Sequence, residues 1–310
     1  MHVAVVMPAR NEEALISSSI NSVPDIVECL IVINDGSTDS TEKVASISLD
    51  NLSSSRPIVT KLVNGNGSGV GSAILLGVSE LTKLVENPEE WAVVVMAGDG
   101  QMDPNDLPNL VTTLGNFDHV KGNRFRHHSG IENMPIIRRI ASKTIGLLTS
   151  LATGWKWADP QCGYTATRLS LLLRHPRLNK WKGYGYPNWW ALSFSESSES
   201  VTEVPVRSVY GSEKSGIRIL SFLPRVSLML FFGTWRRGWL WYVRGKGKRR
   251  APLFIRILIS VLWFISWFTV IVSVVDYRLI VLAIPLLILV RIFDVQEQKE
   301  RTRLSTEFEM

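Results

Sequence analysis

Short apolar segments alternate with helical patterns through the first third of this sequence. The segments are runs of β-branched and other apolar residues without regular polar positions, which is typical of strands buried on both faces. The four predicted strands are Val3–Met7, Leu30–Asn34, Ile58–Val63 and Trp91–Met96. The helices between them are predicted at about residues 12–22, 40–47 and 71–85. The pattern predicts an α/β fold with a mostly parallel sheet that helices cover on both faces.

Three polar loops follow three of these strands and are the first candidates for a functional site. Residues 8–12 have the sequence PARNE, residues 34–39 NDGSTD and residues 97–104 AGDGQMDP. In open parallel sheets, ligands bind beyond the carboxyl ends of the strands. Asp35 can accept a hydrogen bond from a ribose or a nucleobase there, although Asp-Gly-Ser is also ordinary turn chemistry.

The third loop carries a candidate metal ligand. Asp99 lies between two glycines directly after a strand, a setting that suits Mg²⁺ on a bound diphosphate. Such an ion would act as a Lewis acid and neutralise charge on a departing diphosphate. Asp103 and Asp106 are expected instead to cap the following helix.

The last third of the chain predicts a membrane anchor. Hydrophobic residues make up 45% of the whole chain, and the two longest apolar runs both lie in this region. Leu253–Val275 is long enough to cross a hydrocarbon core of roughly 30 Å, whereas Leu279–Phe293 has only about fifteen residues. We expect the two runs to form a transmembrane hairpin, with one span plus a re-entrant segment as the alternative.

Basic and aromatic residues precede this hairpin. Tryptophan and arginine are interleaved through residues 235–244, which indicates a helix lying at the membrane interface; an ordinary core helix is the alternative. Residues 246–250 (KGKRR) account for much of the net charge of +6, and such clusters stay on the cytoplasmic side of a span. We therefore expect a cytosolic first domain, and no nucleic-acid partner. The predicted units are residues 1–215, 216–250, 251–295 and a charged tail, 296–310.

The two cysteines, Cys29 and Cys162, are far apart in the sequence. They supply neither a disulfide framework nor metal-binding spacing, which suits a reducing compartment. Both are expected to pack in the interior.

The loop motifs together resemble those of family-2 glycosyltransferases with a GT-A domain. PARNE, NDGSTDST and GDGQ-x-DP carry the resemblance, which covers roughly residues 3–210. The closer resemblance is to the dolichol- and polyprenyl-phosphate sugar synthases, the group of dolichol-phosphate mannose synthase. The hairpin also suits that group. The resemblance implies an inverting transfer of sugar from a UDP- or GDP-sugar to polyprenyl or dolichyl phosphate, at the cytosolic membrane face.

The resemblance also implies roles on the donor side. The expected nucleotide-sugar contacts are Pro8, Ala9, Arg10, Glu12, Asp35, Gly69, Gly71, Gly98, Asp99 and Lys214. Asp99 and Gln101 would hold Mg²⁺ or Mn²⁺. The family usually begins this motif with an aspartate where this chain has Ala97, so one carboxylate is missing. Diphosphate oxygens and water can complete the octahedron; a weaker metal site or an inert nucleotide-sugar-binding protein are the alternatives.

The resemblance implies catalytic roles for five residues, of which Asp99 lies on the donor side and the other four on the acceptor side. They are Asp99, Arg124, Arg138, Arg139 and Asp159, with one of the two neighbouring arginines expected to be a solvated helix residue. Arg124 ends a Gly-x-Arg motif and would grip phosphate with two nitrogens. Residues 159–164 resemble the family's Asp-x-x-Ser-Gly-Phe loop with Cys162 in place of serine. Residues 184–190 and 210–216, which include Lys214, would shape the pocket.

The nature of the acceptor decides whether a general base is needed. A lipid phosphate is already ionised near neutral pH, so it needs positioning rather than deprotonation. A glycan or lipid hydroxyl would need a base, for which Asp159 is the candidate. The sequence leaves open whether the protein forms a homo-oligomer.

Overall fold

The computed structural model describes residues 1–129, 131, 134–197, 199–209, 219–244 and 253–308. Seven strands form one sheet: β1 (His2–Ala9), β2 (Cys29–Asn34), β3 (Val59–Asn64), β4 (Trp91–Val95), β5 (His119–Asn123), β6 (Thr165–Arg168) and β7 (Val201–Pro205). Their order across the sheet is β3-β2-β1-β4-β6-β5-β7.

The sheet is mostly parallel, as predicted. Strand β1 pairs in parallel with β2 and β4, and β2 with β3. Only β6 runs antiparallel to its neighbours, β4 and β5, and the edge strand β7 is again parallel to β5. The last residue of β1, Ala9, is in register with Asn34 at the end of β2. The loops that follow β1, β2 and β4 therefore meet at one edge of the sheet.

Helices cover both faces of the sheet. They are α1 (Ile16–Asn21), α2 (Thr41–Ser55), α3 (Val70–Leu81), α4 (Leu107–Leu114), α5 (Ile136–Thr153), α6 (Leu169–Arg174) and α7 (Tyr186–Ser195). Within β1, Val5 belongs to the hydrophobic cluster on one face and Val6 to the cluster on the other. Because both faces are buried, the strands are continuously apolar.

Helices α2 and α3 end at other residues than the sequence predicts. Helix α2 continues to Ser55 because Leu49 and Leu52 are buried. Helix α3 ends at Leu81, before the predicted end near residue 85, so Leu84 lies beyond the helix and is 45% exposed.

Helix α5 turns its apolar stripe outward. Ile136, Ile137, Ile140 and Leu147 are between 62% and 71% exposed. The buried face of this helix consists mainly of small and hydroxyl-bearing residues, such as Ser142 and Thr149.

Beyond β7, the described residues form three long helices: α8 (Ile219–Gly238), α9 (Leu253–Val272) and α10 (Ile280–Phe308). A turn of π-helix, Trp239–Val243, follows α8. Among the described residues one helical stretch, Tyr277–Lys299, is long and apolar enough to cross a membrane, and only 17% of its most apolar window is buried. The apolar part of α9, Ile257–Val272, is shorter. Helix α9 as a whole has 20 residues, and the two-span hairpin stays a prediction. The predicted tail, 296–310, continues α10 to Phe308.

A buried ion pair fastens the C-terminal helices to the sheet domain. Arg237 of α8 and Asp294 of α10 are 0% and 2% exposed in their side chains, with 2.8 Å between Nη2 and Oδ2. The Arg237 guanidinium also donates to the carbonyls of Leu151 and Ala152, at the end of α5. The Tyr242 hydroxyl donates to Asp294 over 2.7 Å. The pair therefore joins α5, α8, α10 and the π-turn at one point.

Candidate active site

The loops after β1 and β2 are bound to each other at the carboxyl edge of the sheet. The Asp35 N–H donates to the Ala9 carbonyl over 2.9 Å. The Asn11 Oδ1 accepts from the Thr38 N–H over 2.8 Å, and Asn11 itself has a left-handed φ of 57°. Pro8 and Ala9 are buried in this junction, whereas Arg10 is exposed and Glu12 half-buried. The sequence analysis gave no role to Asn11. Only its position within the PARNE motif could have indicated that it joins the two loops.

Asp35 connects these loops to the glycine-rich segment. Its side chain is largely buried, and Oδ2 accepts from the Gly69 N–H over 2.8 Å. The hydrogen bond is compatible with a place in the nucleotide site, and it also gives Asp35 a structural role.

The glycines of that segment are required by a close backbone contact. A Cβ on Gly69, which has a φ of +107°, would lie 2.8 Å from the Lys182 carbonyl oxygen. A Cβ on Gly71 would lie 2.7 Å from the Trp181 carbonyl oxygen. The start of α3, at Gly69 and Gly71, therefore packs directly on residues 181–182, ahead of the predicted pocket residues 184–190.

The loop after β4 presents Asp99 beside the first loop. The Gly98 N–H donates to the Pro8 carbonyl over 3.0 Å, and the Gln101 N–H donates to Asp99 Oδ1 over 3.1 Å. Asp99 and Gln101 are both half-buried. Asp103 caps the helical turn that begins at Pro104, as predicted, whereas Asp106 accepts from the Arg207 N–H instead.

A metal ion would find few protein ligands at this loop. Within the described part of the chain, no group of three His, Cys, Asp or Glu residues could hold an ion. Asp99 and Gln101 offer one carboxylate and one amide, and Ala97 offers none. Mg²⁺ is commonly held by one or two carboxylates together with substrate phosphates and water. The residues therefore fit an ion that arrives with, and is largely held by, a bound diphosphate.

Arg124 and Asp159 form a buried, two-pronged ion pair. Arg124 Nε lies 2.7 Å from Asp159 Oδ2 and Nη2 lies 2.8 Å from Oδ1, while the Arg124 N–H also donates to Oδ2. Their side chains are 8% and 0% exposed. Burial alone would raise the pKa of Asp159, but the Arg124 guanidinium outweighs it and lowers that pKa. Because both carboxylate oxygens are engaged, this geometry favours an orienting role for Asp159 over that of a general base.

Glu203, on edge strand β7, holds the loop that carries Asp159. Its carboxylate accepts from the Asp159 N–H over 2.9 Å, from the Ala158 N–H and from Asn123 Nδ2 over 2.9 Å. Burial raises the pKa of Glu203. Sequence reasoning missed this residue, because one glutamate in a short strand gives no signal of such a role.

Lys121 lies beneath the same loop. Its side chain is 1% exposed and donates to the Cys162 carbonyl, and burial lowers the pKa of Lys121 to about 8. Burial also raises the pKa of the Cys162 thiol. Cys162 is therefore a packing residue, as predicted, and so is the buried Cys29.

The remaining predicted residues lie around this centre or beyond the described chain. Arg138 and Arg139 are half-buried near the start of α5, and Arg139 Nη2 donates to the Ile131 carbonyl over 3.3 Å. Tyr184 is 56% exposed, whereas Tyr186 is buried. Lys214 and the segment 210–216 lie outside the described residues.

An open, mostly parallel α/β sheet with polar loops gathered at its carboxyl edge is the framework of a nucleotide-binding enzyme. The sequence profile described as Glycosyl transferase family 2 matches residues 4–175. The chain belongs to this family and is a glycosyltransferase.

Two named relatives match about two thirds of this chain and most of their own length. The UDP-N-acetylglucosamine–dolichyl-phosphate N-acetylglucosaminyltransferase of Methanococcus voltae is 24% identical over 66% of this chain and 85% of its own length. The undecaprenyl-phosphate mannosyltransferase of Micrococcus luteus is 26% identical over 67% of this chain and 84% of its own. Both relatives are thus named for transfer to a polyprenyl-type phosphate.

Solved structures confirm the GT-A-like fold. Glucosyl-3-phosphoglycerate synthase of Mycobacterium tuberculosis, in complex with Mn²⁺, UDP and glucosyl-3-phosphoglycerate, superposes with a TM-score of 0.54. It is 21% identical and covers 76% of this chain and 79% of its own. The same enzyme with Mg²⁺ and UDP gives a TM-score of 0.53 at 22% identity.

Proposed function

We propose that this protein transfers a sugar from a UDP- or GDP-sugar to the phosphate of a polyprenyl or dolichyl lipid. The observation that carries the proposal is the Arg124–Asp159 ion pair. Asp159 is the only residue predicted as a general base, and its carboxylate is buried and paired with Arg124. A hydroxyl acceptor would need a base, whereas an ionised phosphate needs cations that position it. The named activities of the relatives from Methanococcus voltae and Micrococcus luteus point the same way.

The proposed reaction is a single displacement at the anomeric carbon. An oxygen of the lipid phosphate forms the new bond as the bond to the nucleoside diphosphate breaks, which inverts the anomeric configuration. Asp159 orients the Arg124 guanidinium towards the acceptor side, and Arg138 or Arg139 supplies a second cation there. Asp35 and the loop at residues 8–12 hold the nucleoside. Asp99 and Gln101 would hold Mg²⁺ or Mn²⁺, whose charge would offset that of the leaving diphosphate.

The membrane supplies the acceptor in this proposal. Helices α9 and α10 form an apolar hairpin in the bilayer, and residues 1–215 face the cytosol. The outward apolar stripe of α5 and exposed side chains of α8 such as Phe232, 65% exposed, support contact with lipid. Holding enzyme and lipid phosphate in one plane raises their effective concentration.

Transfer of radiolabelled sugar in membranes tests the proposal. A panel of UDP- and GDP-sugars is incubated with polyprenyl phosphate, with and without Mn²⁺. We expect label in the lipid phase that depends on Mn²⁺ and falls at least about a hundredfold in Asp99→Asn, because Asp99 is the one carboxylate that the site offers to the ion. Asp50→Asn, at an exposed position on α2, is the matched control and keeps full transfer. Binding of a nucleotide-sugar without labelled lipid would refute a phosphate acceptor.

A further inference from the structure

Glu203 lies where both halves of the Arg124–Asp159 ion pair are attached to the sheet. Its Oε1 accepts from the Asp159 N–H over 2.9 Å, and its Oε2 accepts from Asn123 Nδ2 over 2.9 Å. The Ala158 N–H lies between the two oxygens, at 3.2 Å and 3.1 Å. One oxygen thus holds the loop that carries Asp159, and the other holds the residue that precedes Arg124.

Asn123 connects Glu203 to the turn that carries Arg124. Asn123 is 0% exposed, and its Oδ1 accepts from the Phe125 N–H over 3.0 Å at the start of that helical turn. The amide nitrogen therefore donates to Glu203 while the amide oxygen accepts from Phe125, so the side chain has one possible orientation. The direction of each hydrogen bond in this chain of contacts is fixed.

The main chain that carries Glu203 also contacts the donor side. Strand β7 pairs in parallel with β5, and just beyond it the Val206 N–H donates to the Asn123 carbonyl over 3.2 Å. Farther along, the Val209 N–H donates to the Gln101 carbonyl over 3.0 Å, in the predicted metal loop. Glu203 is thus carried by a segment that contacts both sides of the proposed active site. Sites built on strands are positioned more precisely than sites on loops.

These contacts favour a positioning role for Glu203 over that of a general base. Two of the three donors to its carboxylate are main-chain N–H groups, which belong to Ala158 and Asp159. A base must turn a lone pair towards the proton that it removes. Such a movement would leave the Asp159 N–H without its acceptor in the interior, which is destabilising.

We propose that Glu203 is a positioning residue for sugar transfer, which acts through Asp159 and Asn123 to aim the Arg124 guanidinium at the acceptor phosphate. The inference rests on the proposed function, because the acceptor phosphate is part of that proposal. Misplacing a group in an active site by about 1 Å can lower the rate by about a hundredfold. Loss of the Glu203 contacts should therefore impair use of the acceptor and spare use of the donor.

Glu203→Gln tests this role, because it changes one carboxylate oxygen into an N–H donor that faces Asn123 Nδ2. We expect the KM for polyprenyl phosphate to rise at least about tenfold, since Arg124 loses its fixed position. The KM for the nucleotide-sugar should stay unchanged. Purely structural damage would instead lower kcat, by reducing the amount of active enzyme, and leave both KM values as they are.

A compensating exchange makes the test specific to this hydrogen bond. Asn123→Asp combined with Glu203→Gln keeps the total charge and reverses the bond, so that position 203 donates and position 123 accepts. The new carboxylate can still accept from the Phe125 N–H. We expect the double variant to recover most of the affinity for the acceptor. Glu199→Gln is the matched control, because this half-buried glutamate pairs with His175 and should leave both KM values unchanged.

An NMR signal reports the position of Arg124 without any turnover. In the full chain labelled isotopically at arginine, the Arg124 Nε–H is identified by its loss in Arg124→Lys, and it donates to Asp159 Oδ2 over 2.7 Å. We expect this signal to shift and to exchange faster with solvent in Glu203→Gln, and to return in the double variant.

The two readouts separate failure of this inference from failure of the proposed function. An unchanged acceptor KM or an unchanged Arg124 signal in Glu203→Gln would overturn the positioning role. A double variant as impaired as Glu203→Gln would also overturn it. If the wild type labels no lipid, the proposed function fails instead, and the Arg124 signal still decides whether Glu203 holds this guanidinium.

Discussion

At the scale of single residues, the proposed acceptor side contains a buried pair of opposite charges, Arg124 and Asp159. Arg124 and Asp159 neutralise each other with side chains that are 8% and 0% exposed. Removing one partner leaves the other charge without compensation, so the effect on folding and the effect on transfer must be separated.

Arg124→Met should lower the free energy of unfolding by about 3–5 kcal/mol, since it leaves Asp159 as an unpaired buried carboxylate. Adding Asp159→Leu should restore part of that stability, because apolar replacement of a whole buried pair is often tolerated. Transfer should stay lost in both variants. Urea unfolding followed by tryptophan fluorescence measures the stability. A double variant less stable than Arg124→Met would contradict this account of the pair.

His119 gives the catalytic domain a sensitivity to acid. Its ring is 2% exposed, accepts or donates with Thr167 Oγ1 over 2.7 Å, and packs against Trp190 and Phe194. Burial, with the nearby charge of Lys121, holds the pKa of His119 well below its usual value of 6.5. Below pH 6.5 the unfolded chain therefore binds a proton that the folded chain does not.

Stability should accordingly fall as the pH is lowered from 6.5, by up to about 1.4 kcal/mol per pH unit for this one proton. His119→Asn, which can keep the contact with Thr167, should reduce the slope by that amount. Melting temperatures between pH 5 and pH 7.5 check this. An unchanged slope in the variant would assign the acid sensitivity to another group.

At the scale of elements, the segment leading into α3 is positioned by its contact with residues 181–182. The Gly71 N–H donates to the Lys182 carbonyl over 2.8 Å, with the main chain of Trp181 in van der Waals range. This contact explains the glycines without any ligand, so their presence alone does not identify a phosphate-binding loop.

Gly71→Ala should destabilise the protein by about 1–3 kcal/mol, because the new methyl group would clash with the main chain of residues 181–182, which cannot shift easily. Nucleotide-sugar affinity should fall with it, since Asp35 holds the same segment through Gly69. Gly183→Ala is the matched control, because a Cβ there meets nothing within 4 Å. Thermal unfolding and calorimetric titration with UDP and GDP compare them. Equal stability of the two variants would show that the segment can move aside.

Helix α5 shows what periodicity does and does not reveal about an element. Ile136, Ile140 and Leu147 recur at helical spacing and form an apolar stripe on α5. The same spacing cannot show which side of the helix meets the protein. Here the stripe faces outward, because Ser142, Gly146 and Thr149 allow a close approach on the opposite side.

At the scale of the whole molecule, the junction around Arg237 fixes α10, part of the proposed membrane hairpin, to the end of α5. Arg291 of α10 adds to it by donating to the Gly154 carbonyl over 2.8 Å. The helices that we place in the membrane are thus fixed to the end of α5, which packs beside the Asp159 loop.

Arg237→Ala should cost about 3–5 kcal/mol, because Asp294 would remain buried without its counter-charge. The neighbouring Arg236→Ala should cost less than about 1 kcal/mol, since the Arg236 side chain is 49% exposed in its pair with Glu196. Limited proteolysis and thermal unfolding in detergent distinguish the two. Equal losses would mean that Arg237 does not hold the hairpin in place.

The sequence by itself determined the α/β class, the parallel core of the sheet and the three loops at its carboxyl edge. Strand patterns and strand-end motifs are local, and parallel pairing necessarily brings those ends together. Only the tertiary structure decided which charges meet. Arg124 finds Asp159 across 35 residues and Arg237 finds Asp294 across 57. Such partners are brought together by packing between elements that are distant in the sequence. The local sequence pattern around each residue therefore cannot predict them.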